Sequence, residues 1–432
     1  FSIKEIVLSA FSEQIKTDLE NHTNILLLGT GTDDHDGAHL TDTIMVASLD
    51  HDLDYVSMLS IPRDMYVEIE ELYGGNRINS IMELVAEQEI YQNGTSEPHA
   101  YQIGAETLTR TVSEILNIPI HYYTVVNFDG FVEIVDALGG IDITVDEAIY
   151  DPYYPAEDGT IGYQTFSISE GSQHIDGDTA LKYVRSRQTT SDFDRSARQQ
   201  QVLQAIKEQA MSLGVLANPN RLKNIYNVVD DNFDTNLKWD ELVYLAKIAD
   251  NFGSDSVSTW VINDNPLTAG GFLYAPEREF YGGAFVLVPY VSDYSDIQLF
   301  ADLVLMHPEV HMAKYTFQVL NGTGVNGMAT ETMYFLGRFG FDIVRYGNAA
   351  NQSVQITRTI PITQLLSGQE SENIKTSDFM TYLVQSFIPS GFIMDEVPLE
   401  YTPIEWGTEA DIILELGLDY GNWMTENSQH FY

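Results

Sequence analysis

The sequence predicts an α/β sandwich followed by a second, smaller α/β module. Short continuous apolar runs, such as NILLLG at 24–29, read as buried strands. They alternate with segments whose apolar residues recur every three or four positions, as Leu108, Val112, Ile115 and Leu116 do, which is one face of a helix. The same alternation starts afresh near Lys314, which marks a new unit.

Taken in order, residues 1–22 read as a short amphipathic helix leading into the fold. Asn24–Gly29 is the first strand. Thr43–Ser48 and Tyr55–Ile61 are two more, separated by the polar turn Asp50–Asp54. Glu83–Gln92 and Ile103–Leu116 are helices, and Tyr122–Asn127 is again a strand. Asp129–Leu138 is a helix stopped by Gly139-Gly140, which supply the positive φ of a C-cap. Residues 150–180 read as irregular, rich in Gly, Tyr and Asp. Ala180–Arg187 reads as a strand and Ser196–Leu213 as a helix; residues 218–305 mix helix and loop. In the last part Tyr315–Leu320 is a strand, Asn321–Gly327 a turn and Ala329–Phe339 a helix. Asp342–Tyr346 is another strand, and Ile412–Leu416 is the last one. The expected division is 1–22, 23–312 and 313–432, the last of ordinary domain size.

Composition sets the classes that remain open. The chain has 432 residues, 44% hydrophobic and 20% charged, which is enough apolar material for packed cores. Its net charge is −43, spread over both parts: 16 basic against 50 acidic groups in 1–312, and 5 against 14 in 313–432. Such a surface repels phosphate backbones, so no nucleic-acid partner is expected. With no cysteine, a disulfide scaffold, a Cys-ligated zinc site and a thiol nucleophile are excluded. No apolar run reaches the roughly 18–20 residues of a membrane span.

Against this acidity one cluster stands out. Lys182, Arg185, Arg187, Arg195 and Arg198 fall within 17 positions. On a strand, Arg185 and Arg187 would point to one face. On the helix that follows, Arg195, Arg198 and Gln199 are spaced i, i+3, i+4, near an N-terminus whose dipole favours anions. Guanidinium forks in this arrangement suit a phosphate or pyrophosphate. The competing reading is an ion-pair network with Asp192 and Asp194. Val202, Leu203 and Ile206 weigh against it, because they set the apolar face of that helix apart from the arginines. Upstream, Ser60-Ile61-Pro62-Arg63-Asp64 puts Arg63 at a strand end. Thr32–Thr43 carries Asp33, Asp34, Asp36 and Asp42, hard oxygen donors of the kind Mg²⁺ prefers. A zinc site on His35 and His39 lacks the helical H-E-x-x-H spacing. Taken alone, this loop reads as a solvated acidic turn.

These segments together carry a resemblance. NILLLG (24–29), LTDTIMVASL (40–49), VSMLSIPRDMYV (56–67), RIN (77–79), IPIHYYTVVNFDGFVEIVDALGGIDI (118–143) and ALKYVRSRQTTSDFDRSARQQQVL (180–203) are similar to the LytR-CpsA-Psr family of cell-envelope glycopolymer transferases. FQVLNGTGVNGMA (317–329), LGRFGFDIV (336–344) and ADIILELGLDY (410–420) resemble the separate LytR C-terminal domain.

The resemblance implies a central mixed β-sheet flanked by helices, an α/β/α sandwich. It implies transfer of a glycopolymer from a polyprenyl-pyrophosphate carrier to peptidoglycan, outside the plasma membrane. The chain would be tethered by an N-terminal helix preceding these residues, with 1–22 membrane-proximal. It implies an apolar tunnel for the lipid, and Mg²⁺ with a ring of arginines for the pyrophosphate. By motif, Arg63, Arg185, Arg187 and Arg195 are the expected catalytic residues. Arg77, Asp192, Arg198 and Gln199 are expected to bind substrate, and Asp42 the metal. The family's second metal-binding aspartate falls at Gly31, so Asp36 in the longer loop is the expected replacement. Asp194 stands where a Gly is usual. Asp64 and Asp192 are the candidate bases, with bracing of an arginine the preferred role for Asp64. A pyrophosphate hydrolase and a non-catalytic lipid-phosphate or wall-binding module are the alternatives.

Overall fold

A computed structural model describes residues 15–32, 39–72, 74–155, 162–186, 192–216, 218–253, 256–362, 376–388, 391–401 and 410–431. The chain divides into two compact units, 1–261 with 281–286, and 262–280 with 287–432. The division by motif at 312/313 is a different partition, since residues 287–312 pack within the second unit.

The strands of the first unit are β1 (His22–Thr30), β2 (Thr41–Asp50), β3 (Tyr55–Ser60), β4 (Tyr66–Ile69), β5 (Gly74–Arg77), β6 (Tyr122–Asn127), β7 (Ile141–Val145), β8 (Ile149–Pro155), β9 (Tyr163–Ile168), β10 (Gly171–Ile175), β11 (Phe233–Thr235) and β12 (Val257–Val261). Its helices are α1 (Ile81–Gln88), α2 (Glu97–Leu116), α3 (Phe128–Ala137), α4 (Gly177–Arg185), α5 (Asp192–Ser212), α6 (Pro219–Val229) and α7 (Trp239–Ile248). Six strands make one mixed sheet in the order β11-β6-β1-β2-β3-β12, parallel at β6–β1 and β3–β12 and antiparallel elsewhere. Side chains alternate across it. Leu27, Met45, Ala47 and Met58 share a face that packs on Leu203 of α5. Leu26, Ile44, Val46 and Leu59 alternate with them and are buried on the other side. Helices flank the sheet, as expected.

The second layer holds the main differences from the sequence reading. Residues 180–185 belong to a helix, not a strand. Asp176 caps α4 by accepting a hydrogen bond from the Thr179 amide at 2.9 Å, and Ala180, Tyr183 and Val184 are buried at helical spacing. Alternation in LKYVR matches period two as well, and the cap decides the outcome. Among the described residues of 150–180, most are not irregular either. β8 pairs with β9 and β10 with β7, both antiparallel, with a register shift between Asp151 and Tyr154. Tyr154, Phe166, Ile168 and Ile175 join Val135, Tyr183 and Val202 in one core cluster. β11 and β12 fall in the stretch 218–305, whose sequence reads as mixed helix and loop, and their few residues form the sheet edges. Gly139 and Gly140 do take positive φ, 77° and 94°, at the end of α3. Of the helix expected over 1–22, residues 1–14 lie outside the described residues; 15–21 are non-helical and His22 opens β1.

The second unit has a five-stranded sheet. Thr316–Asn321 lies between Asp342–Asn348 and Ile412–Leu416, parallel to both. Arg358–Pro361 pairs antiparallel to Ile412–Leu416 and parallel to Phe392–Ile393. Buried aromatics, among them Phe317, Phe335, Phe339, Phe379 and Phe387, fill its core. Asn321–Gly327 is a turn, as expected: the Asn321 side chain donates to the Val325 carbonyl at 2.7 Å and accepts from the Thr323 amide at 3.0 Å.

Candidate active site

The parallel pair β1–β6 ends at Gly29–Thr30 and Val126–Asn127, and antiparallel β2 starts at the same end, with Thr43 opposite Gly29. The space beyond the carboxyl ends of parallel strands is where open α/β sheets bind ligands. A cavity of about 840 Å³ opens there, walled by β1, β2, β6, α3, α4, α5 and the β8–β9 hairpin.

Its lining has a direction. Arg195, Gln199, Leu203 and Ile206 lie along one face of α5 and all line the cavity. Over the roughly 16 Å from the first to the last, the wall changes from cationic to apolar. The polar end is fixed by three contacts. Gln199 Nε2 donates to Thr43 Oγ1 at 3.1 Å. The Arg185 guanidinium sits 4.1 Å above the ring of Phe128, the residue that follows β6. Arg185 Nη1 also donates to the Tyr154 hydroxyl at 3.2 Å. Phe131 and Ile134 of α3 and Leu181 of α4 continue the apolar wall. Arg185 is therefore held between two aromatic rings, with its cationic fork at the polar end.

Asp42 lines the same end. Arg63 Nη1 donates to Asp42 Oδ1 at 2.6 Å. Arg63 Nε lies 3.5 Å from Asp64 Oδ2, and Arg77 Nη1 donates to Asp64 Oδ1 at 3.3 Å. Arg77, Asp64, Arg63 and Asp42 thus form one alternating chain of charges. Asp64 stands between two arginines, which is the geometry of a brace. Arg63 and Arg77 reach the cavity through Asp42 and are not part of its lining.

Arg198 differs from expectation. It does not share an open face with Arg195: it is 6% exposed, donates to the Ser186 carbonyl, and lies 5.7 Å over the Tyr183 ring. Ser186 Oγ in turn donates to buried Asp151 Oδ2 at 2.8 Å. Arg198 therefore anchors the end of α4, next to Arg185, rather than the cavity wall. Burial pushes the Tyr183 phenol upward, and the Arg198 guanidinium pulls it the other way. Lys182 pairs outward with Asp178 at 2.6 Å. His39 stacks on Tyr101 at 4.6 Å. Arg187 and Asp36 lie outside the described residues, as do the side chains of Asp192 and Asp194.

Sequence reasoning missed Asn127, Phe128, Asp151, Tyr153 and Tyr163 at this cavity, and Tyr154 behind Arg185. The one available signal was the Tyr- and Asp-rich composition of 150–163, which fits a hairpin wall as well as a loop. Among the described residues no group of three or more His, Asp or Glu could hold a metal ion by itself. Asp42, 40% exposed, is a single carboxylate donor beside the cavity. That donor set fits Mg²⁺, which commonly takes one or two carboxylates and leaves the remaining positions to phosphates and water.

The chain matches the model of the LytR_cpsA_psr family over residues 4–279, and that of the LytR cell envelope-related transcriptional attenuator over 314–387. It is 29% identical over 364 residues to cell wall biosynthesis protein LcpA of Corynebacterium glutamicum, covering 78% of this chain and 65% of that protein. It is 29% identical over 265 residues to the polyisoprenyl-teichoic acid–peptidoglycan teichoic acid transferase TagU of Bacillus mycoides, covering 61% of this chain and 76% of that one. The crystal structure of B. subtilis TagV is similar at 23% identity and a TM-score of 0.48, over 67% of this chain and 99% of that chain.

Proposed function

The chain belongs to the LytR-CpsA-Psr family, and from that premise we propose that it transfers a glycopolymer from a polyprenyl-pyrophosphate carrier to peptidoglycan. The observation that carries the proposal is the graded cavity: an apolar wall along Leu203, Ile206, Ile134 and Phe131 leads to Arg185, Arg195, Gln199 and Asp42. A ligand with a long apolar chain and a doubly anionic head matches that gradient. The name of TagU supports the same reaction class, and that of LcpA a role in cell wall biosynthesis.

In this reading the lipid lies along the apolar wall and the arginines neutralise the pyrophosphate. An acceptor hydroxyl attacks the phosphorus that bears the glycan. The new P–O bond forms as the bridging P–O bond breaks. Polyprenyl phosphate leaves, and the hydroxyl proton passes to solvent. Such a reaction depends on positioning and charge neutralisation more than on covalent chemistry by the protein. Arg185 and Arg195 supply fixed positive charge at the head, and Gln199 a neutral donor. Arg63, braced by Asp64, orients Asp42. Asp42, with Asp36 expected beside it, would hold Mg²⁺, which supplies further charge neutralisation on the phosphates when bound. The reaction is assigned to the outer face of the plasma membrane, where a membrane-borne carrier meets the wall, with the chain tethered through an N-terminal segment. Among the described residues no helix is long and apolar enough to cross a membrane.

The test is a transfer assay with a polyprenyl-pyrophosphoryl oligosaccharide and peptidoglycan fragments, with Mg²⁺ or with a chelator. Product is expected on the acceptor with Mg²⁺ and not with chelator. Asp42→Ala is expected to abolish the metal-dependent rate, and Arg63→Ala to lower it about 10²-fold, the scale of a lost charge-stabilising group. Hydrolysis without transfer would overturn the acceptor assignment. Carrier binding with no turnover would make the protein a binding module.

A further inference from the structure

Two exposed aromatic rings line the cavity without a role in the reaction above. Tyr153 and Tyr163 both line the cavity, yet are 57% and 71% exposed. They meet edge to face, 5.7 Å apart and at 86°. In that arrangement at least one ring keeps an open face. Both sit on the β8–β9 hairpin: Pro155 of β8 pairs with Tyr163 of β9, and within the register shift Asp151 Oδ1 accepts from the Tyr153 amide at 3.0 Å. Tyr153 precedes Tyr154, whose buried hydroxyl accepts from Arg185. The pair is thus built into the same hairpin whose Tyr154 holds the cationic fork of Arg185.

We propose that Tyr153 and Tyr163 form a stacking platform for a pyranose ring next to the pyrophosphate. This rests on the transferase reading of the cavity. The electron-rich face of an aromatic ring attracts the weakly positive C–H groups on a sugar face, and each phenol adds a hydroxyl for the sugar's rim. An acyl chain is the poorer occupant. It would leave the phenol hydroxyls unused, and rings that are 57% and 71% exposed would enclose it poorly. A pyranose can come from the carrier-linked glycan or from the acceptor strand, and the experiment separates the two.

Binding of the full chain to polyprenyl pyrophosphate and to the same carrier bearing one sugar would be measured by calorimetry, and the acceptor KM in the transfer assay. The variants are Tyr153→Ala, Tyr163→Ala and Tyr163→Phe, with Tyr150→Ala as control; Tyr150 is 61% exposed on the same hairpin but does not line the cavity. Each alanine variant is expected to weaken the sugar-bearing carrier, or to raise the acceptor KM, about 10-fold. Binding of the sugar-free carrier should not change, and Tyr150→Ala should change nothing. Tyr163→Phe should retain most of the effect of the ring. Loss on the sugar-bearing carrier assigns the platform to the donor; loss confined to the acceptor KM assigns it to the acceptor. No loss in either arm, or an equal loss on the sugar-free carrier, would overturn the platform. If the wild-type chain fails to bind even the sugar-free carrier, the transferase reading fails first.

Discussion

Three arginines close in sequence have three different settings. Arg185 lies on Phe128 and bonds to Tyr154, Arg195 lines the cavity, and Arg198 is buried against Tyr183 and Ser186. The consequences separate. Arg185→Lys keeps the charge but loses the planar stack and the fork, so transfer should fall about 10-fold or more with little change in thermal stability. Arg198→Ala removes the donor to the buried Ser186 carbonyl and the cation over the Tyr183 ring, and should cost about 1–3 kcal/mol in denaturant unfolding. Equal melting temperatures for the Arg198 variant and wild type would refute the anchoring role. In the second unit, burial alone holds His311 down to about 4 from 6.5. Its imidazole stays neutral when folded but takes a proton below pH 6.5 when unfolded. Stability is therefore full above pH 6.5 and lost as pH falls toward 4, by about 2 kcal/mol between pH 7 and 5. His311→Phe, measured by urea unfolding at both pH values, should remove that part of the slope.

At the scale of elements, the decisive change is that residues 180–185 form a helix. On a strand, two arginines two positions apart would share a face; at a helix end, Arg185 has its own environment, made by α3 and β8. Close packing of α3 on α4 requires Gly177: a Cβ there would lie 2.4 Å from the Val132 carbonyl oxygen. Gly177→Ala should therefore destabilise by about 1–3 kcal/mol and displace a cavity wall, raising the carrier KM as well. Gly337 in helix Met328–Arg338 is the contrast, with open space where a Cβ would go. Gly337→Ala should stabilise by about 0.5–1 kcal/mol in the same unfolding assay. Hairpin β8–β9 was not legible because its apolar positions are Tyr and Phe interrupted by Asp, Pro and a register shift. Strict alternation, the only local signal of a strand, is lost there.

For the molecule as a whole, net charge dominates. A formal −43 opposes compaction through self-repulsion, and the Debye length near 0.1 M salt is only about 10 Å. Raising NaCl from 20 to 300 mM should therefore raise the melting temperature by several degrees. A fall on adding salt would mean that attractive pairs such as Arg63–Asp42 outweigh the repulsion. Against this background the site concentrates its few cations. Arg185 and Arg195 line the cavity itself, and Arg63 stands behind Asp42, so local attraction for an anionic head survives in an acidic protein.

By itself the sequence determined the fold class, most strands of the central sheet, and the family, because these follow from apolar periodicity and from motifs that are local in the chain. Arg63, Arg185, Arg195, Gln199 and Asp42 were named from it for the same reason. The tertiary structure decided which of them meet. Gln199 reaches Thr43 across 156 positions of chain, and Arg185 reaches Tyr154 across 31. Such contacts depend on how α4, α5 and β8 pack, and no local pattern encodes them. The same packing turned Arg198 inward and brought Tyr153 and Tyr163 to the cavity mouth. A side chain's chemistry is local, but its surroundings are set by segments far away in the chain.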